Sequence, residues 1–420
     1  MHNFSIHMIA DHQLDRIIQD QAKSFARKDP GTPRSINLFK YLYLNQVIII
    51  SGVRRCGKTT LLRQIASHFK AYHYLNLADI RLHGLSDLTA SLLLLEKRDP
   101  GIRILFLDEI QNLPGCEDTI RQLHDSGYKI FCTSSQSGSN ISHSDKPKGE
   151  WVTIILHPFS FVEYLAWHAI DKSTASENQV AVLSHLDRYL EEGGFPEYTR
   201  MWDTDHIRSI YENILYRDCI IRLNIRDVSG FIRLAGFLLT NIGTKVHYRS
   251  LASMLGMKSP MTVRDYIHIL ADTHLITEVH RYDPSLKKQY GTGKKIYAVD
   301  IGMRNQVAFR VSGDHQKLLE NLVLVELKRR GFDVYYHFSA KECDFVIIEN
   351  GQVNGLYQVC SELTDLNRER EYGGLQEAMN QYGLDWEILI TLNQEGTVRV
   401  PEGVIQIVPV WKWLLNIEEK

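Results

Sequence analysis

An α/β fold built on a parallel sheet is predicted by three features of the sequence. Between residues 46 and 157, apolar runs of strand length alternate with segments of helix length, the pattern of strand–helix–strand units. Gly52 to Thr59 reads Gly-Val-Arg-Arg-Cys-Gly-Lys-Thr and fits G-x-x-x-x-G-K-[ST] at each fixed position. Ile104-Leu105-Phe106-Leu107 ends in Asp108-Glu109, as a strand buried on both faces does where it reaches a ligand-bearing sheet edge.

The order of elements follows from local signals. A helix is expected over 12–27 and a break over 30–35, where Pro30, Gly31 and Pro33 cluster. Strands are expected at Val47–Ser51, Tyr72–Leu77, Ile102–Leu107, Lys129–Thr133 and Trp151–Leu156, with a short helix at 117–126. Ser134 to Lys148 is rich in Ser, Gly and Asn and reads as a loop. From 158 the pattern turns helical, with segments at 160–168, 179–192, 206–223 and 230–242, broken at Gly193-Gly194-Phe195-Pro196. A third unit has a helix at 248–255, then one capped by Ser259 with Pro260 in its first turn, then strands at 275–279 and 296–299. The last unit is expected to hold a helix at 318–330, strands at 334–337, 345–349 and 356–359, a helix at 368–382, and strands at 387–392 and 404–408.

The chemistry of the first unit is legible in its motifs. Gly52, Val53, Arg54, Arg55, Cys56, Gly57, Lys58, Thr59 and Thr60 are the candidate nucleotide-binding residues. Gly52 and Gly57 let the backbone turn its N–H groups toward phosphate, and the following helix aims its positive end at the same place. Lys58 is expected at the β- and γ-phosphates, and Thr59 and Asp108 at Mg2+. Glu109 is the candidate base for an attacking water. The strand Lys129–Thr133 ends in Thr133-Ser134-Ser135, so Thr133 and Ser135 are the candidate polar groups beside it, with an ordinary turn as the alternative. The cofactors implied are ATP and Mg2+.

Composition bounds the remaining classes. With 44% hydrophobic and 23% charged residues over 420 positions, the chain suits two or three globular domains. A net charge of −2 leaves nucleic-acid binding to a local patch. Six cysteines without C-x-x-C pairs argue against zinc and fit a reducing compartment. No apolar run reaches the length of a membrane helix, so a cytoplasmic location without membrane contact is expected. The densest basic cluster is Lys287, Lys288, Lys294 and Lys295. With Arg264 on the preceding helix, these are the candidate contacts to duplex DNA, a protein-docking module being the alternative. Arg217, Arg222 and Arg226 lie on the helical segment, either as phosphate sensors or on a solvated face.

The chain resembles, over nearly its whole length, the bacterial and archaeal AAA-like P-loop ATPases that carry a winged helix and a C-terminal PD-(D/E)XK nuclease-like domain. The resemblance rests on 52–61, on Leu-Asp-Glu-Ile-Gln-Asn (107–112), His-Pro-Phe-Ser-Phe-Val-Glu-Tyr-Leu (157–165) and Gly-Gly-Phe-Pro-Glu (193–197), and on Lys-Ile-Tyr-Ala-Val-Asp-Ile-Gly-Met-Arg (295–304), Glu-Asn-Leu-Val (320–323) and Glu-Cys-Asp-Phe-Val (342–346). It implies an AAA-type core over 1–157, a helical lid over 158–245, a winged helix over 246–310 and a nuclease-like domain over 311–420. In that last domain Asp344 stands at the Asp position and Glu320 or Glu326 at the helix acid. Gln358 and Cys360 replace the Glu and the Lys, so the fold is implied and cleavage is not expected. The function implied is Mg-dependent ATP hydrolysis driving or gating a conformational change on DNA or a protein client, with homo-oligomers possible. The alternatives are a nucleotide-gated switch with negligible turnover and an ATP-regulated nuclease.

Overall fold

Val47–Ser51 forms a strand with all five residues buried, and four further parallel strands surround it. In the computed structural model, which describes residues 9–82, 88–113, 115–137, 150–172, 177–201, 203–285, 289, 293–308 and 315–417, the chain divides into two compact units, Met1–Leu156 and His157–Lys420. Of the loop expected over Ser134–Lys148, Ser134 ends a strand and 138–148 lie outside the described residues, as do Lys287 and Lys288.

The first unit is a five-stranded sheet of β1 (Val47–Ser51), β2 (His73–Asn76), β3 (Ile104–Asp108), β4 (Lys129–Ser134) and β5 (Trp151–Ile155), in the order β2-β3-β4-β1-β5. All neighbouring pairs are parallel. β4 therefore stands between the strand that leads into the glycine-rich loop and the strand that ends in the acids. The period of two sends Val47, Ile49, Leu105, Leu107, Ile130 and Cys132 to one face. There they meet the helices α1 (Asp11–Arg27), α4 (Thr89–Arg98) and α5 (Cys116–Asp125) through Leu14, Ile18, Leu95 and Ile120. On the other face Phe106 and Phe131 stack with centroids 5.1 Å apart. Two short helices, α2 (Phe39–Leu42) and α3 (Lys58–Ala66), flank β1 in sequence. The edge strand β2 is covered by α1: Gln21 donates to Asn76 O at 3.1 Å and accepts from Asn76 N at 2.8 Å. That exchange satisfies backbone groups that an open edge leaves bare. α4 was absent from the expected elements because its four consecutive leucines, Leu92–Leu95, mask the helical period.

The second unit holds helices, a small sheet and a large one. The helix expected over 206–223 is an α-helix, Thr204–Asn213, that widens into a π-helical turn, Ile214–Ile221. Helices Tyr248–Leu255 and Pro260–Asp272 precede an antiparallel ribbon of β7 (Ile276–Val279) and β8 (Lys294–Ala298), with β6 (Lys245–Val246) on the far side of β8. Ser259 caps the second helix by accepting from Thr262 N at 3.1 Å. The six-stranded sheet runs β13-β14-β12-β11-β10-β9, with β9 (Asp333–Phe338), β10 (Glu342–Glu349) and β11 (Gln352–Val359) as an antiparallel meander. Helix Arg368–Tyr382 then crosses to β12 (Trp386–Thr391), parallel to β11, and β14 (Gly403–Pro409) follows parallel to β12, its hairpin partner being β13 (Gly396–Val400). All six cysteines are buried, and none is in a disulfide. Among the described residues no helix is long and apolar enough to cross a membrane.

One carboxylate knits the second unit together. Asp300 caps the helix Ile301–Val307 by accepting from Met303 N at 2.8 Å, and it also accepts from Gly194 N at 2.7 Å. Phe159 N donates to Gly194 O at 2.6 Å, and Tyr189 OH donates to Phe159 O at 2.5 Å. Burial pushes Asp300 up to about 6 against the three backbone N–H groups that hold it. Gly302 packs so closely that a Cβ there would lie 1.7 Å from Glu192 O. Gly302→Ala is therefore expected to cost about 3 kcal/mol through overpacking. Gly236→Ala, on helix Val228–Thr240 with nothing within 4 Å of its Cβ, is the control, expected to gain about 0.5–1 kcal/mol. Guanidinium unfolding followed by tryptophan fluorescence checks both.

Candidate functional site

The glycine-rich loop is shaped before any ligand is considered. Gly57 takes φ +103°, and a Cβ at Gly52 would lie 2.2 Å from Leu156 O, so both positions demand glycine. Arg55 also adopts a left-handed backbone, φ 68°, and Cys56 is fully buried under the turn. Arg34 braces the loop from behind, its Nη1 donating to Cys56 O at 2.9 Å. α3 begins at Lys58, so its first-turn N–H groups face the loop's concavity. Lys58 Nζ folds back onto the loop, donating to Gly52 O at 3.0 Å and Val53 O at 3.1 Å, and lies 3.7 Å from Glu109 Oε1.

Opposite the loop, three elements converge on Asp108. Thr59 Oγ1 donates to Asp108 Oδ2 at 2.8 Å and Tyr74 OH to the same oxygen at 3.1 Å. Thr133 Oγ1 donates to Oδ1 at 2.5 Å. The same hydroxyl accepts from Glu109 N at 2.8 Å, so one oxygen ties the backbone of one acid to the side chain of the other. Burial and the neighbouring Glu109 push Asp108 above the ordinary carboxylate range, partly offset by its three hydroxyl donors. Glu109 sits at φ 58°, a left-handed position that a non-glycine residue holds only when its surroundings fix it. Ser135 Oγ donates to Glu109 Oε2 at 2.8 Å and Oε1 at 3.1 Å, and Gln111 Nε2 donates to Oε2. Burial would raise Glu109, but the Lys58 charge and these two donors hold it below the usual range.

The family follows from comparison. A family model described as an AAA domain matches residues 44–165, and a second, described as a domain of unknown function, matches 183–314. The uncharacterized protein MJ1544 of Methanocaldococcus jannaschii is 32% identical over 430 aligned positions, covering 96% of this chain and 95% of its own. The chain belongs to the same family as MJ1544, with an AAA domain as its first part. An uncharacterized protein of Haemophilus influenzae is 26% identical, over 89% of this chain and 98% of its own. Among solved structures, AMPPCP-bound DnaA from Aquifex aeolicus aligns at a TM-score of 0.23 and 16% identity, covering 56% of this chain and 84% of that one. So low a score adds nothing to the sheet order described above.

Within the AAA domain, Lys58, Thr59, Asp108, Glu109, Thr133 and Ser135 all meet at the C-terminal edge of the sheet. Tyr74 and Gln111 belong to the same network and were not singled out from the sequence. Gln111 lies two positions after Glu109 in the acid motif, and that nearness is the signal that could have found it. Tyr74 reaches Asp108 only because β2 pairs with β3 in the register Asn76↔Asp108.

In the second unit the structure redistributes the other candidates. Lys294 and Lys295 lie in strand β8, whereas the sequence placed them in the connecting loop. Lys294 pairs with Glu278 on the neighbouring strand. Lys295 is buried, its ammonium 2.8 Å from Glu342, 3.0 Å from Glu320 and 3.4 Å from Asp344, so it has no surface to offer a phosphate. Arg264 is half-exposed and paired with its neighbour Asp265 at 2.8 Å. Of the two helix acids, Glu320 joins Asp344 through Lys295. Glu326 turns to Arg329 at 3.2 Å and Arg330 at 3.0 Å, apart from that cluster. Gln358 accepts from Asp344 N at 3.2 Å and donates to Glu371 Oε2 at 2.7 Å. Cys360 is buried, its thiol pushed up to about 11 chiefly by burial.

Thr133 joins the two acids through one hydroxyl. Thr133→Val keeps its shape and removes its hydroxyl. Leaving Asp108 and Glu109 N each short of a partner is expected to cost about 1–3 kcal/mol of stability. Thr133→Ser should restore most of it. Denaturant unfolding of the two variants, with nucleotide affinity measured in parallel, checks the hydroxyl's role.

Proposed function

We propose that the protein binds Mg2+–ATP at Gly52–Thr60 and hydrolyses it, using the cycle to switch its second unit on a partner. The observation that carries this is the Thr59 hydroxyl set 2.8 Å from the Asp108 carboxylate, beside a loop whose lysine lies 3.7 Å from Glu109. The residues fit Mg2+–ATP. A hydroxyl and a carboxylate side by side form a donor set for a hydrated Mg2+, and the left-handed turn at Gly57, with Gly52 packed against Leu156 O, gives the loop the curl that turns backbone N–H groups toward an anion.

Bound there, Mg2+–ATP supplies the electrophilic phosphorus and the metal's charge stabilisation. The chain's own residues do the rest. Lys58, which donates to two loop carbonyls, would hold phosphate oxygens in their place. Thr59 and Asp108 would hold the cation, Asp108 being fixed by Tyr74 and Thr133. Glu109, kept ionised by Lys58, accepts a proton from water at a carboxylate oriented by Ser135 and Gln111. The helix pair and ribbon of 245–298 have the element order of a winged helix, and the meander and crossover of 315–391 have that of a nuclease-like fold. We read the latter as a docking module without cleavage, because Gln358 and Cys360 replace a carboxylate and a cation. For the former, duplex DNA and a protein client remain the two partner classes. With Lys295 buried and Lys294 paired, DNA contact would fall to Arg264, Lys287 and Lys288.

Steady-state ATPase assays test the reading. Lys58→Ala should lose nucleotide binding. Glu109→Gln should keep binding of a fluorescent ATP analogue and lose turnover by about 10²-fold or more. Wild-type turnover in Glu109→Gln would remove Glu109 as the base. Absence of turnover in the wild type, with and without duplex DNA, would leave a binding switch. Stimulation by duplex DNA that weakens as salt rises would identify the partner as nucleic acid.

A further inference from the structure

Three carboxylates of the last 110 residues gather around a cation that the chain itself supplies. Lys295 and Tyr297 sit two apart on β8 and so share one face. Tyr297 OH donates to Glu320 Oε1 at 2.6 Å, the oxygen that Lys295 Nζ also reaches at 3.0 Å. Glu320 comes from helix His315–Arg329, and Glu342 and Asp344 from β10. Asp344 Oδ2 is also held by Val359 N of β11 at 3.0 Å. Lys245 of β6 takes the second oxygen of Glu342 at 2.7 Å. One buried ammonium thus links the ribbon, a helix and the meander of the large sheet.

We propose that Lys295 is the resident cation of this cluster: carried in on β8, it takes the position between Glu320, Glu342 and Asp344 that a divalent metal would need, fastens the ribbon to the C-terminal sheet, and keeps the carboxylates closed to metal. Electrostatics agree with the geometry. Burial alone would lower the Lys295 ammonium, and Glu320, the neighbouring Tyr297, Asp344 and Glu342 reverse that, holding it protonated. Asp344, the farthest of the three carboxylates, is pushed up to about 8, first by burial and then by Glu320. The sharing of one ammonium among three acids leaves the most distant one the easiest to protonate. The inference stands apart from the ATPase reading, since it concerns residues of the second unit alone.

A charge-swap series tests it in the full-length chain. Five of the six tryptophans lie in the second unit, Trp151 being the exception, so fluorescence melting reports on that unit. Lys295→Met removes the cation and keeps the stem. It is expected to lower the melting temperature by roughly 5–10 °C, because unpaired buried carboxylates remain. Adding Glu320→Gln should recover much of the loss. Millimolar Mn2+ without nucleotide should raise the melting temperature of Lys295→Met and leave the wild type unchanged. The proposal is overturned if Lys295→Met melts with the wild type, if the double variant is no better than the single, or if Mn2+ stabilises the wild type equally. DNA cleavage by the wild type that is lost in Lys295→Met would also overturn it, by making the lysine part of an open site. Should Lys295→Met fail to fold, the double variant decides: folded, it supports the pairing, and unfolded, it overturns it.

Discussion

The site of the first unit depends on β4 lying between β1 and β3. Parallel strands in register end at one edge, so the residue after each strand's apolar run meets its neighbours there. Thr133 follows Cys132, which pairs with Leu107, and this puts its hydroxyl beside Asp108. The same register brings Ser134 beside Ser51 at the mouth of the loop. Remove the intervening strand and Asp108 would face β1 directly, with no hydroxyl between the two acids. Its donors come instead from α3, β2 and β4, so the carboxylate is fixed by three elements that are far apart in sequence. A carboxylate held that way is preorganised, its orientation set by folding before a ligand arrives.

In the second unit the comparable role falls to the segment 295–304. It begins with Lys295 in the acidic cluster and reaches Asp300 five positions later, at a helix start and against Gly194 N. Ala298, between them, exchanges hydrogen bonds of 2.8 and 3.0 Å with Asn321 of the long helix. The stretches that carry the family resemblance at 157–165, 193–197, 295–304, 320–323 and 342–346 therefore meet one another in space. Their shared chemistry is backbone satisfaction and charge balance, and as they stand, with Lys295 among the acids, the described residues of this unit form no group that could hold a metal.

The motifs were legible in the sequence because their physics is local. A glycine-rich turn between strand and helix, or an apolar run ending in two acids, needs no knowledge of what lies elsewhere. Most strands and helices were legible for the same reason, through their period. What could not be read was partnership across the chain. Lys295 looks like its neighbours Lys287, Lys288 and Lys294 in sequence. Only the alternation of β8, with Glu320 and Asp344 arriving 25 and 49 residues later, turns it inward. Tyr74 was silent because a tyrosine in a buried strand carries no mark of its hydrogen-bond partner. The π-helical turn at Ile214–Ile221 was silent because a wider turn leaves no distinctive apolar spacing.

The six buried cysteines have a practical meaning. Burial raises the thiols of Cys56, Cys132, Cys219, Cys343 and Cys360, and a thiol that is neither exposed nor ionised reacts slowly with maleimides and oxidants. The native chain is thus chemically quiet toward sulfur reagents. A single cysteine introduced at an exposed position, such as Tyr43 or Leu366, would stand out against that background without stripping the native six. Spectroscopic probes can then be attached while every core thiol stays where packing needs it.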